Sequence, residues 1–231
     1  MLEINTNDLK NMLNTAAAFS KETTFYVDKT TSTLHLRMLD PAHVAMILAS
    51  APLASEPDVD YFTVNVEQMI KALSIVGDEV KIKIGNGIVE IKGNKSKVKL
   101  SLIADDNKPP RVPEFETVAH AFINPTDLKN TLNYGVYNKC DHFHIKIEDG
   151  HMTIDTGEYP NIAEIDGSEN GEGNARAGFP MEYMLSIVDL AGKCKSTLEV
   201  DMIGDDSPAI FKWNGETAQY SVLLAPRIET E

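Results

Sequence analysis

Basic residues are scarce in this chain: 21 Lys and Arg stand against 35 Asp and Glu, a formal charge of −14 over 231 residues. A surface that negative repels phosphates, so it excludes nucleic-acid binding by the surface as a whole and confines any such contact to a local cationic patch. Cysteine is nearly absent. Cys140 and Cys194 lie far apart and match no zinc or redox spacing, which predicts two reduced thiols at helix ends or in packing positions. Long apolar stretches are missing as well. No run approaches the roughly 18 residues of a membrane helix, and the opening MLEINTNDLK lacks a signal peptide's basic and apolar regions. The expectation is a chain of the cytoplasm or nucleus with no membrane partner.

What is present is a repeat. INTNDLKNMLN, from Ile4 to Asn14, returns as INPTDLKNTLN, from Ile123 to Asn133, with eight of eleven positions identical at an offset of 119 residues. Between the copies runs DDNKPPRVPEFE, Asp105 to Glu116, charged, proline-bearing and without a helical or strand period, which reads as an extended connector. The expected domains are 1–104 and 117–231, joined by 105–116, each half burying its own core.

Both halves show the same order of elements. In the first, Leu9, Met12, Leu13 and Ala16 make the apolar stripe of a helix capped by Asn5 or Thr6, while Lys10, Asn14, Ala17 and Lys21 line up on another face. Strands are expected over Thr23–Asp28 and Thr33–Leu39, and the proline turn of LDPAHVAMILAS leads into a further apolar strand. A second helix carries Val66, Met69, Ile70 and Leu73, capped by Asn65 and ended by Gly77. Three short strands follow, VKIKI, IVEIKG and KVKLSLIA, with tight turns at Gly85–Gly87 and Gly93–Ser96. The second half offers a helix with Asn124 as cap and Pro125 at its first position, then strands HFHIKIE, HMTIDT and NIAEID. A flexible loop, a helix with Met181, Met184, Leu185 and Val188, and three closing strands complete it. The fold class is α+β, with two duplicated domains, each placing two helices on antiparallel sheets.

Constellations that hint at chemistry mostly dissolve. GNKS, Gly93–Ser96, lacks the earlier glycine of a phosphate loop and reads as a hairpin turn. Asp141, His142 and His144 signal no further ligand, so no metal is expected there. The loop Asp166–Asn174 imitates a calcium loop until its twelfth position, Ala177, where a glutamate is required. No nucleophile with a paired base can be argued from spacing; the enzyme alternative is a small α+β hydrolase built on His43 and Asp40. No cofactor is expected.

LDPAHVAMI, the connector with VPE at Val112–Glu114, the ending YSVLLAPRIE from Tyr220 to Glu229, and the duplication together closely resemble the archaeal and eukaryotic sliding clamp, the proliferating cell nuclear antigen family. The resemblance spans essentially the whole chain. It implies a DNA-clamp fold that forms rings: three copies close head to tail, strands outside and helices inside, around duplex DNA held without regard to sequence. It implies a non-enzymatic processivity factor for DNA polymerase, loaded by a clamp loader and bound by other replication and repair proteins through short PIP-motif peptides. A subunit of a heterotrimeric or checkpoint-type ring is the near alternative. DNA-facing amines would be Lys10, Lys21, Lys71, Lys129, Lys139, Lys193 and Lys195. Glu182 and Asp189 dilute them, which predicts weak, strongly salt-dependent contact. The peptide pocket would use Leu39, His43, Val44, Met46, Val112, Pro113, Pro208, Leu223, Ala225 and Pro226. The ring would close through Lys97, Val98, Lys99, Leu100, Ser101 and Leu102 on one subunit and Asn161, Ile162, Ala163, Glu164, Ile165 and Asp166 on the next.

Overall fold

The computed structural model describes residues 2–55, 59–77, 80–93, 95–104, 109–149, 151–156 and 171–227, with the backbone alone over 163–166. Two compact units emerge: Met1–Arg111 with Gly215–Tyr220, and Val112–Asn214 with Ser221–Glu231.

The first unit starts at helix α1, Thr6–Ala17, where the Asn5 side chain accepts from the backbone N–H groups of Asn7 and Asp8. Every residue of its predicted stripe is buried. Strands β1 (Glu22–Asp28), β2 (Thr33–Leu39), β3 (Ala45–Pro52) and β4 (Tyr61–Asn65) form an antiparallel array in the order β3-β2-β1-β4. Helix α2, Val66–Val76, follows directly from β4. Asn65 caps it through the Gln68 N–H, and Gly77 ends it at φ +96°, a conformation that only glycine adopts freely. Strands β5 (Lys81–Gly85), β6 (Ile88–Lys92) and β7 (Lys97–Ser101) make a three-stranded meander. Its first hairpin turns on Asn86 and Gly87, both at positive φ as a two-residue turn demands. Leu2 bridges to Ile82 at the edge of β5.

The second unit repeats this plan. Strand β8 (Ala119–Ile123) precedes helix α3 (Pro125–Tyr137), and β9 (His142–Glu148), β10 (His151–Thr156), β11 (Ala163–Asp166) and β13 (Ala175–Pro180) take the order β11-β10-β9-β13. A short β12, Glu172–Gly173, lies against β8. Helix α4, Met181–Lys193, starts straight from β13, and β14 (Leu198–Met202), β15 (Ala209–Asn214) and β16 (Gln219–Leu224) complete a run β8-β14-β15-β16. Pairing β9 with β10 and β13 mirrors pairing β1 with β2 and β4; β8 against β14 mirrors Leu2 against Ile82. The duplication is therefore one of topology as well as of sequence.

Four strands stand where no strand was expected, the two-residue β12 among them, and two helix stripes differ: on α2 Ile70 is half-buried while Ala72 and Val76 join the buried face. β4 buries Phe62, Thr63 and Val64 in succession, so it has no two-residue alternation to read. β13 is built from ARAGFP, poor in strand formers, and falls where a flexible loop and the start of a helix were expected. β8 does alternate, with Ala119, Ala121 and Ile123 buried, and its signal was available. On α4, Met181, Met184 and Val188 are buried as expected, but Leu185 is half-exposed and Ile187, Leu190 and Ala191 complete the buried face.

Candidate functional site

The predicted amines occupy the helices and their ends. Lys10 is half-buried on α1, but Lys21 is not on that helix: Ala18 caps it, and the N–H groups of Phe19 and Ser20 both turn back to the Ala16 carbonyl. The face expected to run from Lys10 to Lys21 thus stops at Ala17, and Lys21 is exposed on the bend before β1. On α2, Lys71 Nζ lies 2.6 Å from Glu67 Oε1, one turn earlier. That hydrogen bond and the ammonium charge hold the Glu67 carboxyl below its ordinary range. In the second unit α3 packs on α4, and Lys129 Nζ reaches Asp189 Oδ1 across them at 2.6 Å. Lys193 is exposed in the last turn of α4, where a cation meets the helix dipole favourably. Lys139 and Lys195 follow α3 and α4 at equivalent places, both exposed and both left-handed, φ 61° and 53°.

One feature of these helices was missed. Tyr134, Val136 and Tyr137 are exposed on α3, Tyr137 by 83%. Their signal is negative: they fall off the stripe that Leu128 and Leu132 define.

The residues of the expected peptide pocket fall in both units and are taken unit by unit. In the first, β2 ends at Leu39, which pairs with Met46 at the start of β3, and Asp40 to Val44 make the turn between them. Asp40 is buried, and its carboxylate accepts from the N–H groups of Ala42 at 2.9 Å and Ala45 at 2.6 Å. This bracing throws Leu39 and His43 outward, Leu39 41% exposed and His43 at φ 59°. Val44 is half-buried. Met46 is buried although, as the cross-strand partner of Leu39, it shares that residue's face; Ala45 and Ile47 on either side are buried too, so the start of β3 is covered on both faces. The Asp40 carboxylate serves the turn's backbone through its two bonds to Ala42 and Ala45.

In the second unit, Val112 and Pro113 are exposed on a connector that has no strand or helix over Pro109–Glu116; 105–108 lie outside the described residues. Pro208, Leu223, Ala225 and Pro226 are half-buried. The tail after β16 is fixed by Arg227, whose N–H donates to the Gly178 carbonyl at 2.8 Å and whose guanidinium pairs with Asp141. His142 Nδ1 is 2.7 Å from the same carboxylate. Those two partners, His142 first, pull the Asp141 carboxyl down to about 2. His144, by contrast, faces Asp155 at 3.1 Å. Sequence neighbours that suggested a metal are split between two separate partners, and among the described residues no group of three or more metal-binding side chains converges.

Both expected closing segments contain an outer strand. Among the described residues β7 has β6 on one side, and β11 has β10 on one side, with no strand pairing to the other side of either. Leu102 continues beyond β7, its N–H donating to Gly87 at 2.8 Å. Lys97 and Lys99 both approach Glu90. Asn161 and Ile162 lie outside the described residues, as does much of the loop that imitated a calcium site.

No family model matches the chain. The DNA polymerase sliding clamp of Archaeoglobus fulgidus is 27% identical over 224 residues, covering 86% of each chain. Among solved structures, the complex of the C-terminal region of FEN-1 with A. fulgidus PCNA superposes at a TM-score of 0.84 with 21% identity over the full length of both chains. The chain has the sliding-clamp fold. PCNA from Thermococcus kodakaraensis matches it at TM-score 0.84 and 17% identity, covering 98% of this chain and all of that one. PCNA from Entamoeba histolytica matches at 0.81 and 13%, covering 98% of both. In sequence and in fold the chain is similar to the sliding clamps, the resemblance that LDPAHVAMI and YSVLLAPRIE suggested. No helix among the described residues is long and apolar enough to cross a membrane.

Proposed function

We propose that this protein is a DNA sliding clamp: a homotrimeric ring that encircles duplex DNA and tethers DNA polymerase and other replication and repair proteins, without catalysis of its own. The observation that carries this reading is the clamp topology present twice, β3-β2-β1-β4 with β5-β6-β7 and again β11-β10-β9-β13 with β8-β14-β15-β16, in a chain 27% identical to an archaeal clamp. An outer strand seeks a partner, and β7 of one subunit and β11 of the next supply two that join head to tail. Lysines on and after the four helices meet phosphates while the acidic remainder keeps DNA off the outside. Leu39, His43 and Val44 offer partner peptides an apolar ledge, and Leu223, Ala225 and Pro226 offer main chain and apolar surface from the second unit. Loading is expected to need a clamp loader, in cytoplasm or nucleus.

The experiment is negative-stain imaging of the purified chain with light scattering at micromolar concentration. Three-fold rings at three times the chain mass are expected. Because successive N–H groups of a strand point to opposite sides, one of Lys99→Pro and Leu100→Pro removes a donor that faces away from β6. That variant is expected to stay folded by circular dichroism and to run as a monomer. Monomers from the wild-type chain contradict a stable homotrimer; partial arcs that close only with a second chain favour the heterotrimeric reading.

A further inference from the structure

We propose that Glu67 and Asp189 are attenuating residues of the DNA-facing helices, carboxylates that occupy two of the helix lysines expected to meet phosphate and so keep the ring's grip weak. The proposal rests on the reading of these helices as the lining of the ring.

A pair of this kind is found in each unit. Glu67 and Lys71 stand one turn apart on α2, in the orientation that favours the ion pair, acid before base. Lys129 and Asp189 join α3 to α4. Asp189 also precedes Lys193 by four residues, within reach of a second amine. All four paired side chains are well exposed, so neither pair holds a core together. Exposed ion pairs contribute little to folding. Their effect is on what approaches: a phosphate must displace a carboxylate from the amine and bear its repulsion. A ring that holds DNA by closure has no need of tight contact and travels more easily without it.

The experiment is anisotropy of a fluorescent duplex oligonucleotide titrated with protein across a series of salt concentrations. Proteins compared are wild type, Glu67→Gln, Asp189→Asn, and Asp60→Asn as control. Asp60 makes an equally exposed pair with Lys29 at 2.6 Å, away from the helices, and its substitution changes net charge by the same amount. Each helix variant is expected to bind about 3- to 10-fold more tightly at low salt, with log K falling more steeply against log salt by roughly one for each amine that gains a phosphate. Asp60→Asn is expected to match wild type. Adding Lys71→Ala to Glu67→Gln, or Lys129→Ala to Asp189→Asn, should abolish the gain. Wild type that binds while the helix variants are unchanged, or an equal gain from Asp60→Asn, overturns the proposal and leaves the clamp reading intact. A wild-type chain that neither forms rings nor binds duplex removes that reading, and the proposal with it.

Discussion

Asp8 shows what the environment does to one residue of the repeat. It occupies the same place as Asp127 in the second copy, yet Asp127 is exposed and Asp8 is fully buried beneath the segment Gly215–Tyr220. Its Oδ2 accepts from Thr217 through both the backbone N–H, at 3.1 Å, and the hydroxyl, while Tyr220 Oη donates to its carbonyl. Glu216 accepts from the side chains of Asn5 and Asn7 beside it. Gly215 is pressed so close that a Cβ there would lie 2.7 Å from Asp8 Oδ1. Asp8→Ala is therefore expected to cost about 1–3 kcal/mol by leaving buried donors unpaired, and Gly215→Ala about as much through steric conflict. Asp127→Ala should fall within about 0.5 kcal/mol of wild type. Urea denaturation of the three variants checks this; equal costs for Asp8→Ala and Asp127→Ala would show that the buried carboxylate contributes nothing special. In the second unit, hydrogen bonds from His142 and Arg227 hold the Asp141 carboxyl down at about 2, below its unfolded value. A depressed carboxyl stabilises above its unfolded pKa and loses that contribution as pH falls through the folded one. Arg227→Ala should lower the melting temperature at pH 7, and the gap to wild type should narrow between about pH 4 and pH 2. A gap that is the same at both ends of that window would assign the effect of Arg227 to packing.

Elements with a local signal were legible from the residues alone. The caps Asn5, Asn65 and Asn124, the stop at Gly77 and the Asn86–Gly87 turn are read from side-chain chemistry that acts within a few residues, and each stands as expected. What escaped depended on tertiary context. β4 is buried on both faces and runs without a break into α2, so its residues resemble a lead-in to the helix. β13 pairs along all six residues with β9 although its own sequence is weakly strand-forming, and Gly178 fits because a Cβ there would meet the His144 ring at 3.0 Å. Of the candidate site, the LDPAHV turn was visible as a motif. The burial of Met46, the Lys129–Asp189 bridge and the Arg227 anchor were not, because the cover over a strand's face and pairs far apart in sequence are set by packing. The exposed tyrosines of α3 were in view but carry no periodic signal of their own.

At the scale of the whole molecule the two facts that first looked opposed, a charge of −14 and a proposed grip on DNA, fit one device. Holding by closure needs few contacts, so a strongly acidic protein can retain DNA provided the ring has no end to fall from. Lysines on the helices, two of them paired with Glu67 and Asp189, suit sliding better than binding. The direct measurement is retention on a linear duplex whose ends are blocked with bulky tethers after the protein has threaded on, followed by cleavage near one end. The protein is expected to stay on the blocked duplex at salt concentrations that abolish its binding to a short open duplex, and to leave rapidly once the end is cut. Equal dwell times before and after cleavage would contradict encirclement.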